Sequence, residues 1–546
     1  MKYLNTNQTK LALSLVSAFA LMSAQAQTQP PTDAGQTLNQ LQKSPQPFPE
    51  GKVLTLPADI QAKLSAGGKT VVLKGLTFTG NVHLDDTNLV QAIGGETAWA
   101  KALDVAALRK LVDGITDHYR ASGYPFARAF LLPGSLSAEG VLNIRVVEGT
   151  YGKVLVVSAQ EKVVQGGTPY LSGLESGHVV TTAELERATL ILDDLPGYAA
   201  TPVMKPGEQI GAGDLHVVLE TQQRIQGSMT LDNQGSYYSG VTRALGEMSI
   251  NRVAIFGDEL SLSAIAPLEG TWMGSARYVF PLGAKGARLA FAHTKTSYKL
   301  KGEFDGFDGT ATEDALTLSY PLVRSRVSNL SASLSYKEKT LRDNKLGMLE
   351  RKDVQVTPLV LNFDRRDNLG RGGITYGAFT AVAGEMVQNG VTQSFSRWQL
   401  DVARLQRASE SWNLFAHGVV QGTKDNLDSS EGFSLGGASG VRAYPTGEAS
   451  GDKGWMVQLE ARKSLGLAQP YVFYDYGVTQ VDAKPDPAAS AAPDQVRAGV
   501  GVGLRIQHEQ LNVNVALAWR TQGGEPKAEI GQDPKPRIWF SVHRSF

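Results

Sequence analysis

Residues 538–546 read IWFSVHRSF, and their polarity alternates along most of the stretch. In an extended strand this places Ile538, Phe540 and Val542 on one face and mostly polar side chains on the other. Arg544 interrupts the apolar face, which a membrane strand tolerates near the bilayer interface but not at its midplane. A strand of a soluble sandwich has the same period, so this stretch alone leaves two all-β fold classes open.

The same alternation extends toward the middle of the chain. Segments such as 261–266 (SLSAIA), 330–336 (LSASLSY) and 511–519 (LNVNVALAW) repeat it, and Gly, Asp, Asn and Pro separate them. Residues 222–546 have no helical period, and at roughly 20 residues per strand and connection they hold about sixteen strands. Because an even number of antiparallel strands can close on itself, we predict an all-β transmembrane barrel of about 16 antiparallel strands.

The amino-terminal end indicates export. Lys2 and Lys10 flank a polar start, residues 11–22 (LALSLVSAFALM) are apolar apart from two serines, and residues 24–26 (AQA) match an A-x-A cleavage site. The apolar run is shorter than the roughly 20 residues that span a bilayer, so we predict a removable signal peptide over residues 1–26. Export, the aromatic carboxyl terminus and the strand count together favour an outer-membrane barrel over a soluble sandwich.

Composition narrows the function classes. Lys and Arg together number 53, as do Asp and Glu, so no basic excess indicates nucleic acid as a partner. The chain has no Cys, which excludes disulfides, thiolate metal ligands and cysteine nucleophiles. Its eight His residues lack the H-x-x-x-H spacing and similar ligand patterns. We therefore predict no metal, no cofactor and no nucleic-acid partner.

Residues 27–70 form a segment rich in Pro, Gln and Thr, which is typical of a linker. Within it, residues 34–43 (AGQTLNQLQK) can form a short polar helix with Leu38 and Leu41 on one side, and such a helix can plug the pore. A disordered tail explains the same composition, so the sequence leaves both interpretations open.

Two smaller units lie between the linker and the barrel. Over residues 71–150 the pattern is strand, helix, helix, strand, strand, with Asp104 as the cap of an amphipathic helix and Gly123 just past its end. Residues 151–221 repeat this pattern more weakly and end in a strand. We therefore predict two α+β modules ahead of the barrel, and neither contains a cluster of ionisable residues typical of catalysis.

One segment matches an enzyme motif by its letters. Residues 432–436 (GFSLG) fit the G-x-S-x-G pattern, in which a nucleophilic serine follows a strand and precedes a helix. The next residues, 437–440 (GASG), are poor helix formers, so we predict that the chain is not an enzyme. Outer-membrane phospholipases, proteases and plain porins are also barrels, but they leave the two modules unexplained.

Several short motifs resemble those of a known family. In the modules they are residues 78–81 (FTGN), 123–124 (GY), 146–149 (VVEG), 194–197 (DLPG) and 205–207 (KPG). In the barrel they are residues 440–444 (GVRAY) and 473–477 (FYDYG). Together with two modules ahead of a sixteen-stranded barrel, these motifs resemble POTRA–barrel proteins. In detail they resemble the outer-membrane transporters of two-partner secretion, the haemolysin and filamentous-haemagglutinin secretion/activation family.

The resemblance assigns roles to residues of the barrel. It implies that residues 431–454 fold into the pore as a loop. The residues of the loop tip are Gly440, Val441, Arg442, Ala443 and Tyr444. The residues of the matching motif on the inner barrel wall are Phe473, Asp475 and Gly477. The family has glycine where this chain has Ala443, and alanine at a positive φ is strained, so we expect a slightly different loop tip.

Arg442 and Asp475 form the predicted latch of this loop. Residues 431–454 are too glycine-rich and irregular for a strand, and irregular backbone at membrane depth must be shielded from lipid. Alternation places Asp475 on a strand face that must line the lumen, since lipid excludes a carboxylate. On spacing alone the two charges can equally be unrelated and solvated. The family motifs imply that they pair and hold the loop in one register.

The resemblance also implies a function. The chain would be an outer-membrane pore that moves a large partner protein, of adhesin or haemolysin type, from the periplasm to the cell surface. The POTRA modules would bind the partner, with residues 182–195 and 214–221 forming the groove. The barrel would contact outer-membrane lipid, and its last strand, ending at Phe546, would engage the barrel assembly machinery. The alternative is a POTRA–barrel protein that assists outer-membrane protein assembly, although such proteins usually carry more modules.

Overall fold

The structure, a computed structural model, describes residues 32–39, 46–47, 70–267, 270–485 and 493–546. The predicted signal peptide and most of the predicted linker lie outside these described residues. The described α-helices are α1 (Ala34–Asn39), α2 (Asp86–Ala92), α3 (Val105–Ala121), α4 (Glu161–Gly167) and α5 (Thr182–Asp193). None of these helices has the length and apolar character needed to cross a membrane.

The first module is a three-stranded sheet with helices α2 and α3. Its strands are β1 (Gly75–Thr79), β2 (Arg128–Phe130) and β3 (Val141–Val147). They lie in the order β1-β3-β2, with β1 parallel and β2 antiparallel to β3. Helix α3 begins after its cap Asp104, whose carboxylate accepts a hydrogen bond from the Ala107 N–H at 2.8 Å. This is the order of elements that the sequence pattern predicts.

The second module repeats this arrangement with strands β4 (Thr150–Val157), β5 (Tyr198–Pro206) and β6 (Ala212–Thr221). Their order is β4-β6-β5, so β6 is the central strand and is paired on both sides. The sequence pattern did not indicate α4, which is only seven residues long, or β5, which contains two prolines. Strand β6 therefore has no free edge to which another strand could be added, and the groove over residues 182–195 and 214–221 stays a prediction.

The carboxyl-terminal half is a closed barrel of sixteen antiparallel strands. Its first strands are β7 (Ile225–Asp232), β8 (Arg243–Asn251), β9 (Glu259–Pro267), β10 (Trp272–Pro281), β11 (Arg288–Lys299), β12 (Phe307–Arg324), β13 (Ser328–Lys345), β14 (Met348–Asp367), β15 (Gly373–Gln388), β16 (Val391–Arg407) and β17 (Trp412–Thr423). Two short strands, β18 (Phe433–Ser434) and β19 (Ser450–Gly451), pair only with each other. The barrel continues with β20 (Lys453–Lys463), β21 (Ala468–Gln480), β22 (Gln495–His508), β23 (Leu511–Gln522) and β24 (Arg537–Ser545).

Barrel closure joins the first strand, β7, to the last, β24, through a short ladder that runs from Ser541 opposite Asp232 to Ser545 opposite Ser228. The side chain of Asn233 extends this ladder, since it donates to the Ile538 carbonyl and accepts from the Phe540 N–H, each at 2.8 Å. The seam therefore relies partly on one side chain.

Apolar side chains cover the outside of the barrel. Leu334 and Val472 are 51% and 54% exposed, and in the last strand Ile538 is 52% exposed whereas Trp539 is 3% exposed. An apolar surface that surrounds a barrel is what a lipid bilayer requires on the outside. The alternation of residues 538–546 thus separates a lipid face from a lumen face.

The second module docks on the barrel through its helical side. Arg324, at the end of β12, donates from Nε and Nη2 to the Asp194 carboxylate at 2.7 and 2.8 Å. The ring of Phe256, in the turn between β8 and β9, lies 4.5 Å from the ring of Tyr198 and packs against the module's core. The 194–197 motif is therefore part of a joint between module and barrel, a role that its sequence did not indicate.

Glu148 fastens the end of the first module's sheet to the rest of that module. Its carboxylate accepts hydrogen bonds from the Val82 and His83 N–H groups at 2.8 Å and from the Tyr119 hydroxyl at 3.0 Å. Burial raises the pKa of Glu148, but the hydrogen bonds from His83 and Tyr119 outweigh burial and leave that pKa below its ordinary value. The stabilisation is thus present above the pKa of an unfolded glutamate, about 4.3, and is lost as pH falls through the lower folded value.

Glu148→Gln is expected to weaken this connection by about 2 kcal/mol at neutral pH, because it removes the charge from a buried acceptor. Amide hydrogen exchange at Val82 and His83 should become faster in the variant at about pH 7, and the difference from the wild type should shrink below about pH 4. Glu96→Gln, at an exposed position of the same module, is the control. Equal exchange in variant and wild type at neutral pH would contradict the prediction.

Candidate functional site

The segment between β17 and β20 folds back into the barrel. It contains a short 3-10 helix (Ser429–Glu431) and the paired strands β18 and β19. Leu435, Val441 and Tyr444 are fully buried, and they pack in one cluster with the inner wall residues Phe473 and Trp539. Irregular backbone at membrane depth is here shielded by the barrel wall, as the physics of the bilayer requires.

Arg442 and Asp475 lie in direct contact inside the lumen. Arg442 donates from Nη2 to Asp475 Oδ1 at 2.7 Å and from Nε to Asp475 Oδ2 at 2.9 Å. Its backbone N–H adds a third hydrogen bond to Asp475 Oδ2 at 3.0 Å. The two side chains are 6% and 0% exposed. A bidentate pair with this little access to water fixes both the position and the orientation of the loop tip.

Glu460 is a second carboxylate for the same guanidinium, and the sequence analysis missed it. Arg442 Nη1 lies 2.5 Å from Glu460 Oε1, while Arg462 and Arg505 approach Glu460 Oε2 at 2.7 and 3.0 Å. The predicted pair is therefore part of a larger network of charges. Alternation along β20 places Glu460 on the lumen face, so its orientation was accessible from sequence, but its partner on a distant loop was not.

Two aromatic side chains complete the surroundings of Arg442. The guanidinium carbon lies 3.6 Å from the centre of the Phe473 ring, which gives the wall motif's aromatic residue a cation–π contact. Trp539 Nε1 donates to the Arg442 carbonyl at 2.7 Å. A cavity of about 280 Å³ adjoins the network and is lined by Arg442, Glu460, Trp539 and, from the amino-terminal segment, Gln46.

The other residues of the loop tip support the arginine. Gly440 approaches the Leu435 carbonyl so closely that a side chain at this position would collide with it. The Val441 N–H donates to the same carbonyl at 2.6 Å. The Tyr444 hydroxyl donates to the Gln522 carbonyl at 2.7 Å. Each contact fixes the turn that carries Arg442.

Ala443 does not have a positive φ, so the strain that such a value would impose on alanine is absent here. Its methyl group packs against Gly499 on β22, where an added Cβ would collide with it. Gly501 and Gly503 lie on the same face of β22, and the rings of Phe473 and Tyr471 occupy the space that a side chain at these two positions would need. Glycine at every second position of β22 thus provides a groove for the side chains that face it.

Gly477 has the same role on β21, because an added Cβ there would collide with Leu435 of the loop. The wall motif therefore contributes three contacts to the loop. Phe473 supplies a ring, Asp475 supplies a carboxylate and Gly477 supplies space.

Two further glutamates anchor the loop, and sequence reasoning missed both. Glu431, at its start, contacts Lys339 and Arg397, each at 2.6 Å. Glu448, near its end, contacts Arg497 at 2.6 Å and accepts hydrogen bonds from the N–H groups of Lys527 and Ala528 at 2.8 Å. Neither glutamate belongs to a periodic segment, so no sequence signal separated them from solvated charges.

Helix α1 occupies the lumen beside the loop. Its Ala34 N–H donates to the Asp343 carboxylate at 3.0 Å, and the Asn39 amide donates to the Gly432 carbonyl at 2.7 Å. Just before the helix, Asp33 accepts a hydrogen bond from the Ser429 hydroxyl at 2.8 Å. The predicted helix over residues 34–43 is present over its first six residues, and the rest lies outside the described residues.

The serine of the enzyme-like motif lies in the loop without a helix after it. The Ser434 hydroxyl donates to the Glu448 carbonyl at 3.4 Å, and the residues that follow form irregular backbone. Within the described part of the chain, no group of three or more His, Asp or Glu side chains is placed to hold a metal ion.

Comparison with known proteins extends over most of the chain. The family model described as haemolysin secretion/activation protein ShlB/FhaC/HecB matches residues 211–506. The model of the ShlB-type POTRA domain matches residues 71–149. The haemolysin model alone thus covers more than half of the chain.

Individual relatives agree with the family match. The chain is 24% identical over 510 residues to the heme/hemopexin transporter protein HuxB of Haemophilus influenzae, with 87% of this chain and 88% of the relative covered. It is 22% identical over 500 residues to the outer membrane transporter CdiB of Escherichia coli O6:K15:H31, with coverages of 86% and 82%.

Solved structures show the same fold. CdiB from Escherichia coli superposes with a TM-score of 0.68 at 18% identity, and CdiB from Acinetobacter baumannii with 0.62 at 16% identity, both over 100% of each chain. Two α+β modules, a sixteen-stranded barrel and a loop held in the lumen thus agree with the family match. The chain therefore belongs to the haemolysin secretion/activation family, the outer-membrane transporters of two-partner secretion.

Proposed function

We propose that this chain exports one large partner protein, which its periplasmic modules bind and its barrel passes to the cell surface. The observation that carries the proposal is the loop held by Arg442 and Asp475 inside a closed lumen, at whose periplasmic end a module is docked. A pore that must open for one passenger needs a removable obstruction and a receptor at its entrance. Since the periplasm holds no ATP, direction comes from folding of the partner outside the cell.

The loop and helix α1 are the obstruction in this proposal. Arg442 and Asp475 act as the latch, and the remaining residues of the loop tip and the wall motif set the register of that latch. Buried polar contacts and apolar packing hold both obstructions, and the apolar packing includes Leu435 and Tyr444 of the loop and Leu38 of α1. Their release exposes this apolar surface, so in this proposal the passenger covers it as it enters the lumen.

The domain organisation of the proposal follows the sequence analysis. The signal peptide over residues 1–26 directs export, residues 71–150 and 151–221 are the two periplasmic POTRA domains, and residues 222–546 form the barrel. Outer-membrane lipid surrounds the barrel, and the barrel assembly machinery engages the last strand, which ends at Phe546.

Deletion of the gene tests the proposal. The deletion strain is expected to lose one large protein from the cell surface and to accumulate its degradation products in the periplasm. Purified protein in a planar bilayer should conduct ions as a large pore. Unchanged surface levels of every large exported protein would contradict the secretion function, and a broad loss of outer-membrane barrels would favour the assembly function instead.

A further inference from the structure

Helix α5 of the second module reaches the lipid-facing side of the barrel. Its Arg187 donates from Nη2 to the Tyr320 hydroxyl at 3.0 Å, and the guanidinium carbon lies 5.6 Å from the centre of the Tyr320 ring. Tyr320 lies two residues after Leu318 on β12 and so shares its face, and Leu318 pairs with Leu334 of the lipid face. The contact therefore lies outside the barrel wall, near the periplasmic end of β12.

The periplasmic turn between β10 and β11 meets the same helix. Gly286 in this turn lies so close to Ile191 of α5 and to Pro321 of β12 that an added Cβ would press on both. Ile191 is one helical turn after Arg187, so the two side chains share one face of α5. Lys285, the residue before Gly286, is exposed. Arg187 and Lys285 therefore lie at one junction, where α5 touches the periplasmic rim of the barrel. We refer to it as the rim junction.

Neither cation at the rim junction is neutralised by the protein. In the described ranges of the chain, Arg187 donates only to the Tyr320 hydroxyl and to the Leu322 carbonyl, the latter at 3.3 Å. Lys285 has no hydrogen bond or ion pair within the same ranges. By contrast, a carboxylate neutralises the Arg324 guanidinium at the end of the same strand. Two cations without a carboxylate form a site for an anion from outside the chain.

Exposed apolar side chains border the two cations. They are 42% to 56% exposed, and they lie in or next to the two periplasmic turns that meet α5: Leu282, Leu322, Val323 and Val327. Cations at the edge of an apolar surface match a phospholipid, whose phosphate meets the cations while its acyl chains cover the apolar side chains. A soluble anion would leave those side chains in contact with water.

We propose that an anionic phospholipid of the periplasmic leaflet binds at the rim junction, with its phosphate between Arg187 and Lys285 and its acyl chains against Leu282 and Leu322. The choice of leaflet follows from the position of the junction, which lies at the end of the barrel where the modules lie. A lipid held there contacts both α5 and the barrel, so it stabilises the docked position of the second module, and docking in turn strengthens lipid binding. The site does not depend on whether the chain exports a partner.

Lipid retention by the purified full chain tests the site. The protein in detergent is mixed with equal amounts of phosphatidylglycerol and phosphatidylcholine, and native mass spectrometry counts the lipids that stay bound. The wild type should retain phosphatidylglycerol preferentially, and Arg187→Gln combined with Lys285→Gln should lower this preference by roughly tenfold. Lys110→Gln combined with Lys205→Gln removes the same charge from exposed positions outside the rim junction and should leave the preference within about twofold.

Two single substitutions separate lipid binding from docking. Arg187→Gln removes a hydrogen bond to Tyr320 and can loosen the module without any lipid, whereas Lys285 makes no hydrogen bond to the described part of the module. Lys285→Gln alone should therefore lower the preference by roughly threefold, with an unchanged pattern of limited proteolysis. Arg187→Lys keeps a cation and should retain most of the preference. Wild-type preference in Lys285→Gln would contradict the site, because the effect of the double variant would then come from docking alone.

Other outcomes would also contradict the inference. Equal retention of the two lipids by the wild type, or equal losses in the control and the double variant, would show that no anionic lipid is selected at the rim junction. Displacement of the lipid by an equal concentration of glycerol phosphate would show that a soluble anion suffices, and the lipid assignment would be wrong. None of these outcomes bears on the proposed function, which fails if deletion of the gene leaves surface proteins unchanged.

Discussion

Arg442→Ala is expected to abolish most secretion while the barrel still assembles. The substitution leaves two carboxylates, Asp475 and Glu460, without the guanidinium that lies between them. The Asp475 side chain is 0% exposed, so its carboxylate stays buried without that guanidinium, whereas Glu460 keeps its contacts with Arg462 and Arg505. Breaking a buried pair of this kind costs roughly 3–5 kcal/mol, enough to move the loop out of its register. Secreted partner per assembled barrel, with assembly scored by heat-modifiable gel migration, is the measurement.

Asp475→Ala is expected to be milder, because Arg442 retains its contact with Glu460 at 2.5 Å. The double variant should lose less than the sum of the two single losses, since each single substitution already removes the same contact. Fully additive losses in this cycle would mean that the two residues act separately, and the latch would have to be abandoned.

The charge swap, Arg442→Asp with Asp475→Arg, should not restore secretion. The new aspartate would face Glu460, so the swap replaces an attraction with a repulsion. Arg371→Ala, at an exposed turn between β14 and β15, is the control for loss of an arginine and should secrete normally. A swap that secretes as well as the wild type would show that Glu460 contributes little to the site.

Phe256→Asp is expected to release the second module from the barrel and to stop secretion. The ring packs against the module core beside Tyr170 and Tyr198, at centroid distances of 6.1 and 4.5 Å. Its removal forfeits about 2 kcal/mol of apolar burial, and the new carboxylate must also lose water to occupy the same place. Ile255→Asp is a matched control, because the neighbouring side chain is 48% exposed and does not belong to the apolar cluster of the module core.

Distance measurement between two spin labels can follow this release directly. The chain has no Cys, so cysteines introduced at Lys162 on α4 and at Leu369 in a periplasmic turn of the barrel give one labelled pair. Wild-type protein and the Ile255→Asp control should give a narrow distance distribution, and Phe256→Asp a broad one. A narrow distribution in the Phe256→Asp variant would mean that the polar contacts, such as Arg324–Asp194 and Arg187–Tyr320, are enough to hold the module.

Periodicity explains why the fold was largely predictable. Alternation in residues 538–546 separated the two faces of the last strand, because a side chain's face depends only on its own strand, and the strand count and the export signal then favoured the barrel. The helix that begins after Asp104 was equally visible, since its cap and its apolar stripe are local features. The family motifs then identified Arg442 and Asp475 as partners 33 residues apart.

Neighbour relations between distant segments were not predictable in the same way. The alternation of Leu215, Val217 and Leu219 gave the buried face of β6 but not its central place in the sheet, which leaves β6 without a free edge. The contacts of Glu460 and Glu448 depend on where an irregular loop returns to the wall. Such contacts depend on tertiary packing, and no repeating pattern in the sequence predicts them.

The seam between β7 and β24 constrains the order in which the barrel forms. Thr230 and His543 meet there at 2.8 Å although 313 residues separate them. The loss of chain entropy on bringing such distant segments together costs about 2 kcal/mol more free energy than closing a hairpin of about 20 residues. Neighbouring hairpins are therefore expected to pair first and the seam to pair last. Until then both outer strands have unpaired backbone groups, which hydrocarbon does not tolerate. The seam therefore forms after the neighbouring strands have paired, and a nascent barrel must be sheltered from bulk lipid until the seam is complete.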